Sequence, residues 1–323
     1  MRTGENMDIK TFLRMLLEGD LEEDFVIKYL KHNYAKGITP VELADAVKVL
    51  RDYSVPFKNH MQKSIDTCGT GGDGKCSLNI SSAVAVVIAS LGIHVVKHGN
   101  HSHSSALGSA DIFKLLNIPI DLIGFEAEKF YSKHNFIFLY APLYQPAMSK
   151  VKRIRQKIGG PTIFNLVGPL LNPARPNYQI IGVSNRKNLK LYTDALKLLG
   201  GGQYIVYTSV DSFDEVSTFA STECIEIVNG KGRTFYIKPE EFFEPFAMPV
   251  IKSVDDGLNT FLSVFSCAAE KLIDLIAINA SLGLHLLEKI SLREAFHLCK
   301  EELTSGRAYE KLLGLKEYEV KEA

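Results

Sequence analysis

Three stretches of this sequence concentrate residues able to hold a phosphorylated ligand, and a fourth offers a cation for a carboxylate. The first runs Asp66-Thr67-Cys68-Gly69-Thr70-Gly71-Gly72-Asp73-Gly74 and continues through Ser77-Leu78-Asn79-Ile80-Ser81-Ser82. Glycines lack Cβ, so backbone N–H groups in such a turn can approach anionic oxygens closely and adopt positive φ. Asn79, Ser81 and Ser82 stand where a helix start adds unpaired N–H donors and hydroxyls. A tight turn followed by an ordinary N-cap would explain the same residues without a ligand. A P-loop would not, because no Gly-Lys-Ser/Thr follows at the required spacing.

The second stretch is Lys97-His98-Gly99-Asn100-His101-Ser102-His103-Ser104-Ser105, after an expected strand and before a helix. In open α/β sheets ligands bind at the carboxyl ends of strands, where this cation, amide and three hydroxyls fall. Metal binding by His98, His101 and His103 is a competing chemistry. Their spacing is too short for the usual zinc patterns, and no cysteine lies close by in sequence. The third, Asp211-Ser212-Phe213-Asp214-Glu215, places carboxylates at another strand end. Such oxygens suit Mg2+, which holds a diphosphate through one or two protein carboxylates plus waters. A solvated acidic turn is the plain alternative. The fourth carries Arg155, upstream of Thr162-Ile163-Phe164-Asn165 and of the run from Gly168 to Pro176. An arginine can hold a carboxylate bidentately, although most lone arginines are surface charges.

The intervening sequence supplies elements to position these groups. Residues 8–17 set Phe12, Leu13, Leu16 and Leu17 on one helical face, and 25–34 form a second helix. Thr39-Pro40-Val41-Glu42 has Thr as N-cap, Pro at the first helical position and Glu at the third, predicting a helix to about Tyr53. From Ser64 short apolar runs alternate with helical stretches, the pattern of an α/β domain. Strands are expected over 65–68, 93–96, 136–140, 180–183 and 204–208. Helices are expected over 81–91, 110–116 and near 189–199. Residues 223–228 and 233–237 flank Asn229-Gly230-Lys231-Gly232, a hairpin signal. The chain ends in helix over 258–287 and again from Ser291 to near Gly306. The fold class is therefore α/β, with a small all-helical domain over 1–65 and a larger α/β domain over 66–323.

Composition bounds the partners. With 323 residues, 46% hydrophobic and 23% charged, the chain has material for one large or two unequal domains. Lys+Arg and Asp+Glu both number 37, without the basic excess that non-specific nucleic-acid binding requires. The five cysteines (Cys68, Cys76, Cys224, Cys267 and Cys299) form no C-x-x-C pair and are odd in number, which fits reduced thiols in a cytoplasmic protein. No apolar segment opens the sequence, and no run of about 18 uncharged apolar residues occurs, so neither secretion nor membrane spanning is expected.

In this order the segments resemble the anthranilate phosphoribosyltransferase family. The residues that carry the likeness are GTGGDG at 69–74, NISS at 79–82, KHGN at 97–100, SS at 104–105 and GSAD at 108–111. APLYQPAM at 141–148, TIFNLVGPLLNPARPN at 162–177 and DEVS at 214–217 complete the set. The resemblance implies a small helical domain, joined by helices from about 150–180, packed on an α/β domain with a central mostly parallel sheet. It also implies a homodimer built through the small domains. The implied activity is Mg2+-dependent transfer of 5-phosphoribosyl from phosphoribosyl diphosphate (PRPP) to the amine of anthranilate, in tryptophan biosynthesis.

Carried over position by position, Gly72, Asp73, Ser77, Asn79, Ile80, Ser81 and Ser82 contact PRPP. So do Lys97, His98, Gly99, Asn100, His101, Ser102, His103, Ser104, Ser105 and Ser109. Ser81 ligates one Mg2+ and Asp214 with Glu215 a second, while Gly69, Asn100 and Arg155 contact anthranilate. No side chain is assigned as acid, base or nucleophile. The sequence departs from the family pattern at four places. His101 stands where Arg is usual, Ala106-Leu107 where Lys-Ser is common, Gln145 for a frequent His, and Ser212-Phe213 for Gly-Leu. Aromatic-substrate affinity is what these departures touch. Three other readings share the scaffold: a pyrimidine nucleoside phosphorylase, which the Asp-Glu pair opposes; a non-catalytic nucleic-acid-binding relative, which the charge balance opposes; and a transferase for another aromatic amine or acid.

Overall fold

Asp8 opens α1 (Ile9–Glu18) by accepting the Thr11 amide at 3.0 Å, and Gly19 closes it in the left-handed region. The apolar stripe of this helix is buried, with Phe12 stacked on Tyr29 of α2 (Glu23–Ala35) at a centroid distance of 3.8 Å. α3 (Pro40–Asp52) starts where Thr39 predicts it. The Thr39 hydroxyl accepts from the Glu42 amide at 3.2 Å, and the Glu42 carboxylate accepts from the Thr39 amide at 2.9 Å. Two donors that a helix start leaves unpaired are thereby satisfied. The structure is a computed structural model and describes residues 7–71, 75, 78–101 and 107–317.

β1 (Ser64–Gly69), α4 (Ile80–Ser90), β2 (His94–Gly99), α5 (Ser109–Leu115), α6 (Gly124–His134) and β3 (Phe136–Tyr140) come next. α7 (Ala141–Tyr144), α8 (Ser149–Ile158) and α9 (Phe164–Val167) separate them from β4 (Tyr178–Gly182), α10 (Arg186–Leu199) and β5 (Gln203–Ser209). The hairpin of β6 (Thr222–Val228) and β7 (Lys231–Ile237) precedes α11 (Val254–Phe265), α12 (Glu270–Glu288), α13 (Leu292–Thr304) and α14 (Arg307–Gly314). The sheet runs β3-β2-β1-β4-β5-β6-β7. Its first five strands are parallel, and β6 and β7 are antiparallel. All five parallel strands therefore deliver their carboxyl ends to one edge. There Gly69 pairs with Gly182, Gly182 with Tyr207, and Gly99 with Tyr140.

Both sheet faces are covered, as parallel strands require. Successive residues alternate between two cores: Ile180 and Ile205 pack with α4 and α12, Ile181 and Val206 with α1–α3, α9 and α10. α8 lies on α2, where Lys157 and Arg153 reach Glu23. The Arg51 Nε of α3 donates to the Leu170 carbonyl at 3.0 Å. No single helix among the described residues is long and apolar enough to cross a membrane.

Three expectations need correction. Lys97, His98 and Gly99 belong to β2 rather than to the loop after it, because their backbone pairs with Phe138, Leu139 and Tyr140 of β3. The expected helix over 258–287 is two helices, broken at Cys267 with φ 58° in a stretch without glycine or proline to signal it. The turn expected over 229–232 narrows to Asn229 and Gly230, both at positive φ, as a two-residue hairpin demands.

His134, at the end of α6, is buried against Phe130, and its Nε2 has no hydrogen-bond partner among the described residues. Burial, helped by Lys133 and Lys311, pushes its pKa down from 6.5 to about 4. The folded state therefore prefers the neutral ring, and this preference stabilises the fold fully above pH 6.5 and fades as pH falls through 4. His134→Gln should reduce the loss of thermal midpoint between pH 6.5 and 4 by roughly 3 °C, as scanning calorimetry at both pH values will show.

Candidate active site

Gly69 and Gly182, neighbours on β1 and β4, form a notch in the carboxyl edge of the sheet. A Cβ on Gly182 would lie 1.6 Å from the Asp214 carbonyl oxygen, and one on Gly69 would lie 2.6 Å from Asp214 Oδ2. Asp214 fills this notch. Its Oδ2 accepts from the Gly71 amide at 2.8 Å, while the Thr70 amide donates to the Gly182 carbonyl at 2.9 Å. The described part of the glycine-rich segment thus admits a carboxylate-bearing turn from 143 residues further along the chain.

That turn is held in several ways. The Ser209 hydroxyl accepts from the Phe213 amide at 2.8 Å and donates to the Phe213 carbonyl at 3.0 Å. Ser212 sits at φ 67°, a conformation that costs a non-glycine residue roughly 1 kcal/mol. Behind the turn, the buried Asn279 of α12 accepts from the Val216 amide at 2.8 Å and donates to the Val216 carbonyl at 3.3 Å. The sequence carries a sign of Asn279 beyond the expected site residues: a lone amide within the apolar run Leu275-Ile276-Ala277-Ile278-Asn279-Ala280 must find polar partners. Asp214 and Glu215 are only 6% and 7% exposed.

Lys97 of β2 is 2% exposed, and its ammonium donates to the Thr67 carbonyl at 2.5 Å and to Ser81 Oγ at 3.2 Å. Thr67 in turn donates to the Ser81 carbonyl at 2.9 Å, so β1, β2 and the first turn of α4 are tied at one point. Burial lowers the Lys97 pKa, opposed by Asp66, Cys68 and Glu215. Asp66, fully buried, is pushed up to about 6 by desolvation, opposed by Lys97, Asn172 and the His98 and Thr67 amides. His98 is pushed down to about 4 by burial and, to a smaller extent, by Lys97, while a backbone bond to Gly168 opposes both. At neutral pH the imidazole is an uncharged hydrogen-bonding group.

The other expected residues fall around these groups. Asn79 is the N-cap of α4 without capping it, and its Nδ2 donates to the Leu107 carbonyl at 3.1 Å. Ile80 and Ser82 are buried. Gly99 must be glycine because a Cβ would lie 2.2 Å from Ser109 Oγ, which donates to the Asn100 carbonyl at 3.3 Å. His101 pairs through Nδ1 with Asp111 and sets its ring edge-on to Tyr140. Arg155 lies half-buried on α8, its pKa lowered by desolvation, and its guanidinium makes no hydrogen bond or ion pair among the described residues. Gln145 turns inward, donating to the Leu171 carbonyl at 2.8 Å. Gly72, Asp73, Ser77, Ser102, His103, Ser104 and Ser105 lie outside the described residues.

Several buried polar atoms around the sheet edge have no partner among the described residues: Thr70 Oγ1, Ser82 Oγ, His98 Nε2, Thr208 Oγ1 and Asp211 Oδ1. Such atoms are costly unless something satisfies them. With the Asp214–Glu215 carboxylates, the Ser81 hydroxyl and the Lys97 ammonium, they suit a polar, anionic ligand accompanied by a divalent cation.

Residues 61–309 match the glycosyl transferase family, a/b domain. The anthranilate phosphoribosyltransferase of Geobacillus sp. (strain WCH70) is 34% identical over 315 residues, covering 95% of this chain and 92% of that protein. Among solved structures, anthranilate phosphoribosyltransferase from Thermus thermophilus superposes with a TM-score of 0.87 at 29% identity, over 95% of this chain and 93% of that one. The Saccharomyces cerevisiae enzyme in complex with PRPP and Mg gives a TM-score of 0.85 at 24% identity, over 95% and 90% of the respective chains.

Proposed function

This chain belongs to the anthranilate phosphoribosyltransferase family, and from that membership we propose that it transfers the 5-phosphoribosyl group of PRPP to the amine of anthranilate. The products are N-(5-phosphoribosyl)anthranilate and diphosphate, in a step of tryptophan biosynthesis. The observation that carries this reading is the seating of Asp214 in the glycine notch, with Glu215 following it and close enough to act on the Lys97 charge.

Asp214, Glu215 and Ser81 offer hard oxygen donors that fit Mg2+. We assign one ion to Ser81 and a second to the acidic pair. Bound there, Mg2+ would neutralise charge on the diphosphate as it leaves. The chain's own groups do the rest. Lys97 supplies a fixed positive charge beside Ser81 at the first turn of α4, where the leaving anion would lie. The neutral His98 and the cluster from Gly99 to His101, with Ser109, would bind the remaining polar atoms of PRPP; Asn79 to Ser82 complete the described contacts. As the bond from ribose C1 to the diphosphate oxygen breaks, positive charge grows on the ribose, the anthranilate nitrogen bonds to C1, and the proton that nitrogen then sheds passes to the departing diphosphate or to water. An aryl amine is uncharged at neutral pH and already nucleophilic, so no strong base is needed.

On the acceptor side, Arg155 would hold the anthranilate carboxylate, with Gly69 and Asn100 completing the contact. Approach of the helical layer (α1–α3 with α8 and α9) to the sheet edge would exclude water, the competing nucleophile. Arg155→Ala is expected to raise the KM for anthranilate about tenfold or more, the worth of one charged hydrogen bond, while the KM for PRPP stays within about twofold. Equal changes in both constants would contradict the carboxylate role. The reading as a whole is tested by following anthranilate fluorescence with PRPP and Mg2+ omitted in turn; consumption that persists without either one would end it. A homodimer joined through α1–α3 and a cytoplasmic location belong to the same proposal, and sedimentation at several concentrations checks the first.

A further inference from the structure

Lys75 is the one described residue between Gly71 and Leu78, and it reaches across to the acidic turn. Its ammonium lies 4.0 Å from the centroid of the Phe213 ring and donates to the Asp211 carbonyl. One cation therefore engages both a side chain and the backbone of the segment that ends in Asp214 and Glu215. Only an aromatic face attracts an ammonium in this way, so Phe213 makes a matched pair with Lys75.

The turn has reason to need such a hold. Ser212, between the two atoms that Lys75 engages in sequence, is kept at φ 67° without being glycine. Asp211, Asp214 and Glu215 put three carboxyl groups within five residues of chain, so the segment carries concentrated negative charge. Asn279 fixes the far end at Val216, Ser209 bonds Phe213, and the Gly71 amide meets the Asp214 side chain. Lys75 adds a contact on the near arm together with a compensating charge. We propose that Lys75, acting through Phe213 and the Asp211 carbonyl, is a positioning residue that sets the acidic pair for its cation–diphosphate ligand.

The kinetic half of this inference rests on the transferase reading; the structural half does not. Two measurements on the full chain separate them. Hydrogen exchange of the peptide spanning 209–217, in protein without ligand, should be about fivefold faster in Lys75→Met than in wild type, and within about twofold of wild type in Lys75→Arg, whose guanidinium also stacks and donates. Phe213→Leu should fall between them. In turnover, Lys75→Met should raise both the KM for PRPP and the half-saturating Mg2+ concentration about tenfold with kcat within about threefold, and Lys75→Arg should restore both. Unchanged exchange in Lys75→Met overturns the inference. So does faster exchange with unaltered PRPP and Mg2+ requirements, which would leave Lys75 a plain tether. A wild-type protein indifferent to PRPP and Mg2+ would sink the transferase reading instead, and the exchange comparison would still decide whether Lys75 holds the turn.

Discussion

Converting Asp214 to Asn together with Glu215 to Gln is expected to lower turnover about a hundredfold or more, with the thermal midpoint within roughly 3 °C of wild type. Each amide keeps the size of its carboxylate and one of its two acceptor oxygens, which suffices to receive the Gly71 amide, so the notch stays filled. What disappears is two negative charges at a site where a divalent cation would be held. A preorganised electrostatic stabiliser of a leaving group is worth about 3 kcal/mol, or about two decades of rate. The same change removes the Glu215 charge that opposes the desolvation of Lys97, whose pKa moves further down and whose cation is less firmly kept. Steady-state turnover across a Mg2+ titration, beside a thermal melt, distinguishes these effects. Wild-type turnover in the double variant would remove the acidic pair from the mechanism.

A single methyl group placed at Gly182 should be nearly as damaging. β4 lies between β1 and β5, so it cannot swing aside, and the new Cβ would meet the Asp214 carbonyl oxygen at 1.6 Å and the Tyr207 ring at 3.3 Å. Backbone against backbone leaves no rotamer to relieve the clash, and the Asp214 turn must retreat by more than an ångström. Displacements of that size cost about a hundredfold in rate, and overpacking of this kind costs about 1–3 kcal/mol of stability. Gly182→Ala is therefore expected to lose about two decades of kcat/KM and several degrees of thermal midpoint. Gly314→Ala, with no atom within 4 Å of its would-be Cβ, should change neither. A Gly182→Ala protein with wild-type kinetics would mean that the notch does not set the turn.

Local signals were legible where neighbouring residues complete them. Thr39 and Glu42 cap α3 within four residues, and Asn229-Gly230 closes its hairpin within two. The strands of the parallel sheet were visible as apolar runs, but their ends were not, because Lys97 to Gly99 are strand only by pairing with β3 about forty residues later. The glycine segment, the Lys97 stretch and the acidic turn were each recognisable by composition. Their junction was not. Gly182 carries no local mark of its role, since the atom that requires it to be glycine belongs to residue 214. Asn279 is 63 residues from the backbone it clamps, and Lys75 is 136 from the carbonyl it engages. Period and propensity are short-range properties, whereas these contacts are set by the topology of the sheet.

The seat of Arg155 on α8, a helix packed against α2, bears on how such a protein can change. Under the proposed roles, the groups that grip the leaving group are moulded into the β-sheet together with Gly69 and Asn100, whereas the cation that greets the incoming carboxylate rides on a separate helical layer. Drift among residues 149–158 could then retune which aromatic acid is welcomed while the cleavage machinery is inherited untouched. A laboratory lineage selected for a new acceptor should accumulate its early changes there, and few at the glycine notch.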